Sequence, residues 1–298
     1  MKWLVILDPI EGLVSKTDTS LAIINKARSM GLEVDTATIE DLFFETVVSV
    51  NACGVKNEKT ISMLDEYDLI LMRKEPPYDL PFHYAAQLLS LTKTPVINSP
   101  ASLRDFNEKL IVLPFSDFMP PTLVSSNSAE IIKFIGRFDS AVLKSLDSFQ
   151  GKSVTRVSPD DMGLVDKFTE GGRQPIMVQQ FLEAVYQGDK RVMMAGDRVL
   201  GAAQRRPKSG YHANFANSDA LPAALTAREQ EIIDTLGPWM VAHGIYFSGL
   251  DIIGEKLTEI NITCPTGIIQ ISELDGKDIP GEVVDYFLEL IADGTLAQ

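Results

Sequence analysis

The chain has 298 residues and a formal net charge of −14, with a sequence pI near 4.7. This acidity disfavours nucleic acid as the main partner, because neutralising phosphate groups requires a basic surface. No apolar run approaches the roughly 18 residues of a membrane span, and two cysteines, Cys53 and Cys264, indicate no disulfide framework, so we expect a protein of the reducing cytoplasm.

Strand and helix signals alternate in the first part of the chain. Lys2–Leu7 is a short apolar run that predicts a buried strand, and Thr19–Met30 has the apolar spacing of a helix that stops at Gly31. Ser102 is expected to cap a further helix over Leu103–Leu113. Three more strands are predicted at Leu32–Ile39, Tyr67–Met72 and Thr94–Asn98. This alternation predicts a small parallel α/β domain.

The pattern changes after Met119-Pro120-Pro121, where antiparallel and mixed signals begin. Asn127 with Glu130, and Thr226 with Glu229, have the spacing of capping boxes that open helices. The strands predicted here are Ala141–Leu146, Ser153–Val157, Pro175–Leu182, Arg191–Met194, Val199–Gln204, Ile245–Ile253 and Leu257–Ile262, followed by a helix from about Gly281. We therefore predict α/β plus α+β architecture in three lobes, over residues 1–120, 121–185 and 186–298.

The last predicted hairpin carries the strongest chemical signal. With a three-residue loop at Gly254–Lys256, Asp251 lies opposite Glu259 and Asn261 shares their face. A two-residue loop would instead put the two carboxylates on opposite faces. Two carboxylates and an amide oxygen are hard ligands that suit Mg²⁺. The alternative is a hairpin at the sheet edge whose carboxylates face water.

Cationic residues give a second signal, because an acidic protein must concentrate positive charge locally to bind phosphate. Lys144 ends an apolar strand, where a lysine either meets a phosphate or simply extends to solvent. Lys109, taken alone, is a lysine late in a helix. Arg205 and Arg206 lie in a basic loop that either holds an acyl phosphate or carboxylate or is solvated, and Arg191 could point to the same site.

Taken together, these segments resemble the glutathione synthetase branch of the ATP-grasp ligases over nearly the whole chain. The resemblance is carried by five strings in the family's order: Leu71–Pro77, Val96–Pro100, Leu103–Leu110, Gly188–Val192 and Gly249–Thr266. It implies an ATP-grasp architecture with an N-terminal α/β domain, a central lid subdomain and a C-terminal α+β subdomain. It also implies a homo-oligomer, either a dimer or a tetramer.

The resemblance further implies roles for individual residues. Mg²⁺, with Mn²⁺ as an alternative, would be bound by Asp251, Glu259 and Asn261, while Arg191 and Arg205 would face the acyl phosphate and the attacking amine. The residues implied in ATP binding are Lys109, Lys144, Lys152, Gln179, Gln180, Phe181, Leu182 and Asp189. Those implied in substrate binding are Arg73, Arg206, His212 and Asn214.

The implied reaction has two steps. A substrate carboxylate attacks the γ-phosphate of ATP to give an acyl phosphate, and an amine, glycine in the family, then displaces phosphate to form an amide. Positioning, charge neutralisation and exclusion of water would be the protein's contribution.

Two loops depart from the family pattern. The loop after Lys144 holds one glycine, Gly151, where the family is glycine-rich, so Lys152 is expected to supply charge in place of backbone amides. The loop after Arg205 lacks the family's double glycine, and His212 stands where the family has another arginine. These departures leave open a ligase with a different acid or amine, or a nucleotide-binding regulator without turnover.

Overall fold

The computed structural model describes residues 1–55, 58–147, 154–294 and 296. Within these ranges the strands form three sheets, of seven strands in the N-terminal part, four in the middle and five in the C-terminal part. Parallel pairing is confined to the first sheet, and the other two are antiparallel. The predicted combination of α/β and α+β regions is therefore confirmed.

The first sheet has a parallel core extended by antiparallel strands. The core strands are β1 (Lys2–Leu7), β2 (Glu33–Ala37), β6 (Leu69–Arg73) and β7 (Val96–Ile97), and the antiparallel additions are β3 (Leu42–Phe44), β4 (Val48–Cys53) and β5 (Lys59–Met63). Its helices are α1 (Thr19–Ser29), α2 (Leu80–Leu89) and α3 (Pro100–Asp105). The predicted core strands agree within about two residues at each end. The predicted parallel core is present, and β3–β5 add antiparallel strands that make the sheet mixed.

The helix expected over Leu103–Leu113 is also wrong. Ser99, not Ser102, caps α3, and its hydroxyl oxygen accepts a hydrogen bond from the Ser102 N–H at 3.1 Å. After the short helix, Asn107 Oδ1 accepts from the backbone N–H of Lys109 at 3.0 Å, a local side-chain turn that competes with helix formation. Lys109 therefore lies in a turn rather than late in a helix.

The second sheet carries its helices on one face. Its strands are β8 (Thr122–Ser125), β9 (Ala141–Ser145), β10 (Val154–Val157) and β11 (Ile176–Gln180), and its helices are α4 (Ser128–Ile135) and α5 (Met162–Phe168). The order is β10-β9-β11-β8, so β10 is an edge strand among the described residues. Asn127 is the N-cap of α4 and accepts from the N–H groups of Ala129 and Glu130, without the reciprocal Glu130 bond of the predicted capping box. Ile131 and Phe134 of α4 pack on Leu143 of the sheet.

The third sheet provides most of the charged residues singled out from the sequence. Its strands are β12 (Asp189–Ala195), β13 (Arg198–Pro207), β14 (Ser218–Pro222), β15 (Phe247–Ile253) and β16 (Lys256–Asn261), in the order β14-β13-β12-β15-β16. Helix α6 (Ala227–Ala242) begins at the predicted Thr226–Glu229 capping box. Helices α7 (Ile268–Asp275) and α8 (Ile279–Asp293) follow, and α7 was not predicted.

The first and third sheets share one apolar core. Trp3 of β1 packs against Phe287 of α8, with ring centroids 6.3 Å apart, and Met193 of β12 belongs to the same cluster. Asn98, directly after β7, links the two sheets through hydrogen bonds to backbone groups beside β15 and β16. Of the helices within the described ranges, none combines the length and apolar character needed to cross a bilayer.

Candidate active site

A cavity of about 700 Å³ opens between the three sheets. Its wall combines loops of the first sheet, the inner strands of the second sheet and four strands of the third. One end is apolar and the other is charged, which is the arrangement expected of a site for a ligand that carries both a ring system and phosphates.

The apolar end is formed around the last residues of β11. Val142, Phe181 and Val185 form a small buried cluster there, and Val154 and Ile253 pack on it. Gln179, which lines the same end, donates from Nε2 to the Thr122 hydroxyl at 3.0 Å. All four residues expected at an adenine hinge line the cavity: Gln179, Gln180, Phe181 and Leu182.

The two predicted phosphate lysines converge on the cavity from different elements. Lys144 is the penultimate residue of β9, and Lys109 comes from the turn after α3, with its Nζ 3.2 Å from Glu259 Oε1. Burial lowers the pKa of Lys144, while Glu259 acts in the opposite direction. Lys109 and Lys144 are only 5% and 9% exposed, so a phosphate bound here would contact them away from bulk water.

The hairpin of β15 and β16 does not have the predicted loop. Its turn holds two residues, Gly254 and Glu255, and pairs Ile253 with Lys256. In a regular hairpin with no bulge, that two-residue turn would place the Asp251 and Glu259 carboxylates on opposite faces. A β-bulge, with Thr258 as the unpaired residue, shifts the register by one.

The bulge restores the pairing of the two carboxylates that the sequence predicts. Asp251 pairs with Glu259, and Gly249 pairs with Asn261, as the sequence predicted by a different route. Thr258 also lines the cavity, and its hydroxyl donates to the carbonyl oxygen of Asp251 at 3.0 Å. The carboxylates therefore face each other because two local deviations cancel.

Two arginines and two carboxylates form a buried cluster next to the hairpin. Arg191 donates from Nε and Nη2 to Asp251 at 2.6 and 3.1 Å. Arg205 donates to both oxygens of Asp189, at 2.7 and 2.5 Å, and also reaches Asp251 at 3.0 Å. Such forked contacts between guanidinium and carboxylate groups are the strongest ion pairs in proteins.

The cluster shifts the pKa values of its two carboxylic acids in opposite directions. Burial favours the neutral form of Asp251, but the charges of Arg191 and Arg205 outweigh it and lower the pKa of Asp251 to about 2. Burial, assisted by the nearby Asp251 charge and opposed by Arg205, raises the pKa of Asp189 to about 6. Asp251 is therefore the permanently ionised member of the pair near neutral pH.

Hard oxygen donors gather at this hairpin. Within the part of the chain that the structure describes, no three His, Cys, Asp or Glu side chains are grouped to hold a metal. The donors that do come together are two carboxylates and one amide, from Asp251, Glu259 and Asn261, with Asn261 Nδ2 3.3 Å from Asp251. Carboxylate and amide oxygens fit a hard divalent cation such as Mg²⁺ or Mn²⁺.

Two predicted substrate residues lie outside the cavity. Arg73 is buried beneath it and donates to the Ser20 hydroxyl at 3.0 Å and to the Pro265 carbonyl at 2.9 Å. Arg206 follows Arg205 along β13 and is exposed, because successive strand residues point to opposite faces. The structure therefore does not bring either side chain to the site.

The other predicted substrate residues lie in the connection between β13 and β14. His212 and Asn214 line the cavity, and the His212 ring lies against Tyr211 with centroids 4.4 Å apart. Asn214 Oδ1 accepts from the Asn217 N–H at 2.9 Å. Lys152 and its neighbours over 148–153 lie outside the described residues.

Sequence reasoning missed Glu108, which organises the charged end. Its Oε1 accepts hydrogen bonds from the backbone N–H groups of Ile262 and Thr263, at 2.7 and 2.9 Å, and from the Thr263 hydroxyl at 2.8 Å. Burial, together with the Glu259 charge, raises the pKa of Glu108. The sequence feature that could have indicated this role is the position of Glu108 directly before Lys109. Glu108 thus ties the Lys109 turn to the end of β16.

Comparisons with known proteins agree with this geometry. The family model for the prokaryotic glutathione synthetase N-terminal domain matches residues 1–104, and that for its ATP-grasp domain matches residues 108–276. The glutathione synthetase of Synechocystis sp. is 36% identical over 318 residues, an alignment that covers 97% of this chain and 99% of the relative.

Solved structures match the whole chain at lower identity. The D-cycloserine synthetase DcsG has a TM-score of 0.71 at 13% identity, covering 97% of this chain and 99% of that chain. A RimK domain ATP-grasp protein from Sphaerobacter thermophilus has a TM-score of 0.62 at 19% identity, covering 97% and 100% respectively. These similarities confirm the predicted ATP-grasp fold.

Proposed function

Because the chain belongs to the prokaryotic glutathione synthetase family of ATP-grasp ligases, we propose that it joins γ-glutamylcysteine to glycine, converting ATP to ADP and phosphate. The observation that carries this proposal is the convergence in one cavity of two lysines, two opposed carboxylates and two arginines. An ATP-dependent ligase that links a carboxylate to an amine requires these groups together, since its intermediates carry several negative charges.

The cavity supports one orientation of ATP. The apolar end around Phe181 and Val142 accommodates the adenine ring, and Lys109 and Lys144 lie towards the charged end, where the phosphates would be placed. Lys144 is buried, and the charge of nearby Lys109 adds repulsion, so a phosphate partner would offset the cost of burying its charge. We infer from this arrangement that the γ-phosphate lies near the β15–β16 hairpin.

The chemistry then follows from the placement of charge. A carboxylate oxygen of the acid substrate attacks the γ-phosphorus, the bond to the β-phosphate oxygen breaks, and ADP leaves. The amine nitrogen next attacks the acyl carbon, the carbon–oxygen bond to phosphate breaks, and the nitrogen loses a proton to leave the amide. Arg191 and Arg205 lie where they stabilise the negative charge that develops on the acyl phosphate oxygens.

Asp251, Glu259 and Asn261 would hold Mg²⁺, with Mn²⁺ as the alternative. A divalent cation supplies charge neutralisation between the terminal phosphates. The Asp251 oxygens accept hydrogen bonds from Arg191, Arg205 and Asn261 in the structure. Arg191 and Arg205 would therefore lie directly beside the cation site, next to the substrate phosphate.

One observation favours a second candidate, a ligase for another acid or amine. His212 and the aromatic rings of Tyr211 and Phe215 line the cavity in the connection where the family has glycines and an arginine. These side chains change the shape and charge of the wall. A regulator without turnover has less support, because the groups that turnover requires all line the cavity.

The experiment is an assay of phosphate release and amide formation with ATP, Mg²⁺ and γ-glutamylcysteine plus glycine. We expect both products in equal amounts from the wild-type protein. Release of phosphate with another acid–amine pair, and none with this one, would favour the second candidate. Nucleotide binding without turnover for any pair would favour the regulator.

Glu259→Gln tests the metal-binding hairpin within this assay. The change keeps the shape of the side chain and removes one of two opposed charges, so turnover should fall by about 100-fold or more. Glu255→Gln is the matched control, because Glu255 is exposed in the turn of the same hairpin. Wild-type turnover in Glu259→Gln would contradict the assignment.

Three further properties belong to the same proposal. We propose the boundaries near residues 120 and 185 as those of the N-terminal domain, the lid subdomain and the C-terminal subdomain. A homo-oligomer, dimer or tetramer, is the proposed state in solution, and light scattering would test it. The cytoplasm is the proposed location.

A further inference from the structure

Asn261, the amide expected at the cation site, lies at the edge of the third sheet. It is the last residue of β16, which pairs with β15 on one side and is an edge strand among the described residues. Its Nδ2 donates to the carbonyl oxygen of Gly249 at 3.0 Å and to Asp251 Oδ2 at 3.3 Å. Backbone N–H groups on the free side of an edge strand need partners from elsewhere. The group that supplies these partners therefore decides where the Asn261 amide lies.

Glu108 supplies partners on both sides of Asn261. Before Asn261, the N–H of Ile260 donates to the backbone carbonyl oxygen of Glu108 at 3.1 Å. After it, the N–H groups of Ile262 and Thr263 donate to Glu108 Oε1 at 2.7 and 2.9 Å. The Thr263 hydroxyl donates to the same oxygen at 2.8 Å. The backbone on each side of Asn261 is thus held by one residue from outside the sheet.

The residue after Glu108 is one of the two lysines that line the cavity. Lys109 Nζ lies 3.2 Å from Glu259 Oε1, and Glu259 comes shortly before Asn261 in β16. Because Glu108 and Lys109 are covalent neighbours, the bonds from β16 to Glu108 also fix the point from which the lysine side chain extends. The carboxylate and amide of β16 and this lysine are therefore held as one unit.

A further contact connects the same turn to the other lysine. Asn107 Oδ1 accepts from the N–H of Lys109 at 3.0 Å, and Asn107 Nδ2 donates to the carbonyl oxygen of Leu146 at 2.7 Å. Leu146 lies just beyond β9, the strand that carries Lys144. The turn thus contacts the chain close to both lysines, and Glu108 is the member that reaches the expected cation donors.

We propose that Glu108 is a positioning residue that aligns Glu259 and Asn261 with Lys109, so that the divalent cation and the ATP phosphates are bound in a fixed relation. The inference rests on the use of ATP and a cation in the proposed function. It does not depend on which acid and amine are joined. Loss of a group that orients metal-binding residues typically weakens metal affinity or activity by about 10- to 100-fold.

Glu108→Gln tests this role, because it keeps the shape of the side chain and removes its charge. An uncharged oxygen accepts weaker hydrogen bonds from Ile262 and Thr263, so the end of β16 would be held less firmly. We expect the dissociation constant of Mn²⁺, measured in the presence of ADP by electron paramagnetic resonance, to rise about tenfold. This binding measurement needs no turnover.

Asp161→Asn is the matched control. Asp161 Oδ2 accepts from the N–H and the hydroxyl of Ser158, each at 2.8 Å, and Asp161 lies outside the cavity wall. This variant also loses a carboxylate that binds backbone and hydroxyl groups, so it should lower the free energy of unfolding but keep the wild-type Mn²⁺ affinity. Wild-type affinity in Glu108→Gln, or equal weakening in both variants, would overturn the proposal.

Thr263→Val gives a milder test that does not depend on the folding of Glu108→Gln. It removes only the hydroxyl bond to Glu108, so the Mn²⁺ dissociation constant should rise about threefold. An unchanged constant would contradict the proposal, as would a wild-type protein that binds no Mn²⁺ with ADP. If the wild type forms no amide from γ-glutamylcysteine and glycine, the proposed function fails. The Mn²⁺ measurement then still decides the role of Glu108.

Discussion

The thiol of Cys264 faces the cavity but is held in its neutral form. Its Sγ donates to the carbonyl oxygen of Arg73 at 3.2 Å. Burial raises the pKa of the thiol to about 11, with Glu75 and Asp18 acting in the same direction and Arg73 opposing them. Because the thiolate is the reactive form, only about one molecule in a thousand is reactive at pH 8.

We expect Cys264 to resist alkylation at neutral pH. In a Cys53→Ala variant, its rate of reaction with iodoacetamide should rise about tenfold per pH unit between pH 8 and 10. Mass spectrometry of the folded protein gives this rate. A plateau near pH 9 would contradict the assignment, because it would show an ordinary thiol.

The same shift has a consequence for stability. The folded thiol keeps its proton to a higher pH than the unfolded thiol, whose pKa is about 8.5. Between these values the folded state binds more protons, so the free energy of unfolding falls as pH rises from about 8.5 towards 11. Below this window the thiol has no effect on the pH dependence.

Individual site residues differ in how far the chain alone reveals them. Asp251 and Glu259 lie eight positions apart in one hairpin, so local pairing brings them together. Arg73 instead owes its position to Ser20 and Pro265, which are 53 and 192 positions away in the chain. No local pattern shows that these partners draw Arg73 beneath the cavity.

At the level of secondary-structure elements, the β15–β16 turn offers a test through Glu255. This residue has φ of 62°, a left-handed conformation that costs a residue with a side chain about 1–2 kcal/mol. Glu255→Gly should therefore raise the free energy of unfolding by about 0.5–1 kcal/mol, after allowing for the greater freedom of glycine when unfolded. Urea unfolding measures this difference.

Lys256→Gly is the control, because Lys256 lies in β16, where glycine weakens a strand. It should lower the free energy of unfolding. A decrease in Glu255→Gly of the same size would show that the turn does not store strain at Glu255.

The sequence predicts strands and helices correctly where interactions between neighbouring residues determine them. The apolar runs of β1 and β6 and the capping box of α6 depend on neighbours in the chain, and their positions were predicted within about two residues. The helix over Leu103–Leu113 failed because the Asn107 side chain bonds the next turn. Helix α7 lacks a side-chain cap at Gly267, so no start signal marked it.

At the scale of the whole molecule, Asn98 joins the first sheet to the β15–β16 hairpin. Its Nδ2 donates to the carbonyl oxygens of Phe247 and Ile262, each at 2.7 Å, and its Oδ1 accepts from the N–H groups of Tyr246 and Phe247. These four bonds, two donated and two accepted, use the full hydrogen-bonding capacity of the amide side chain.

Asn98→Ala should lower the free energy of unfolding by about 3 kcal/mol or more, because several buried backbone groups lose their partner. We expect turnover to fall as well, since Ile262 directly follows the carboxylate hairpin. Urea unfolding and the product assay measure these effects. Asn25→Ala, an exposed change on α1, should leave both unaffected. A loss of stability below 1 kcal/mol in Asn98→Ala would contradict this role.

Of all the features of the site, the assembly of the cavity is the one that the sequence predicts least well. Its wall extends from Gly12 to Gln270 and includes loops of the first sheet and strands of the other two. The resemblance to a known family placed ATP there, but the distances between Lys109, Lys144 and Glu259 depend on packing between sheets. Contacts between distant segments, such as Asn107 with Leu146, have no local signature in the sequence.

The bulged hairpin has a consequence for how this site tolerates insertions and deletions. In a regular antiparallel hairpin the position numbers of paired residues have a constant sum, and Asp251 with Glu259 gives the sum expected for a three-residue turn. The chain reaches the same pair with a two-residue turn and the unpaired Thr258. Turn length and bulge are therefore interchangeable. Deleting Thr258 would leave a regular hairpin with a two-residue turn, in which Asp251 still pairs with Glu259, so the carboxylate pair tolerates loss of the bulge.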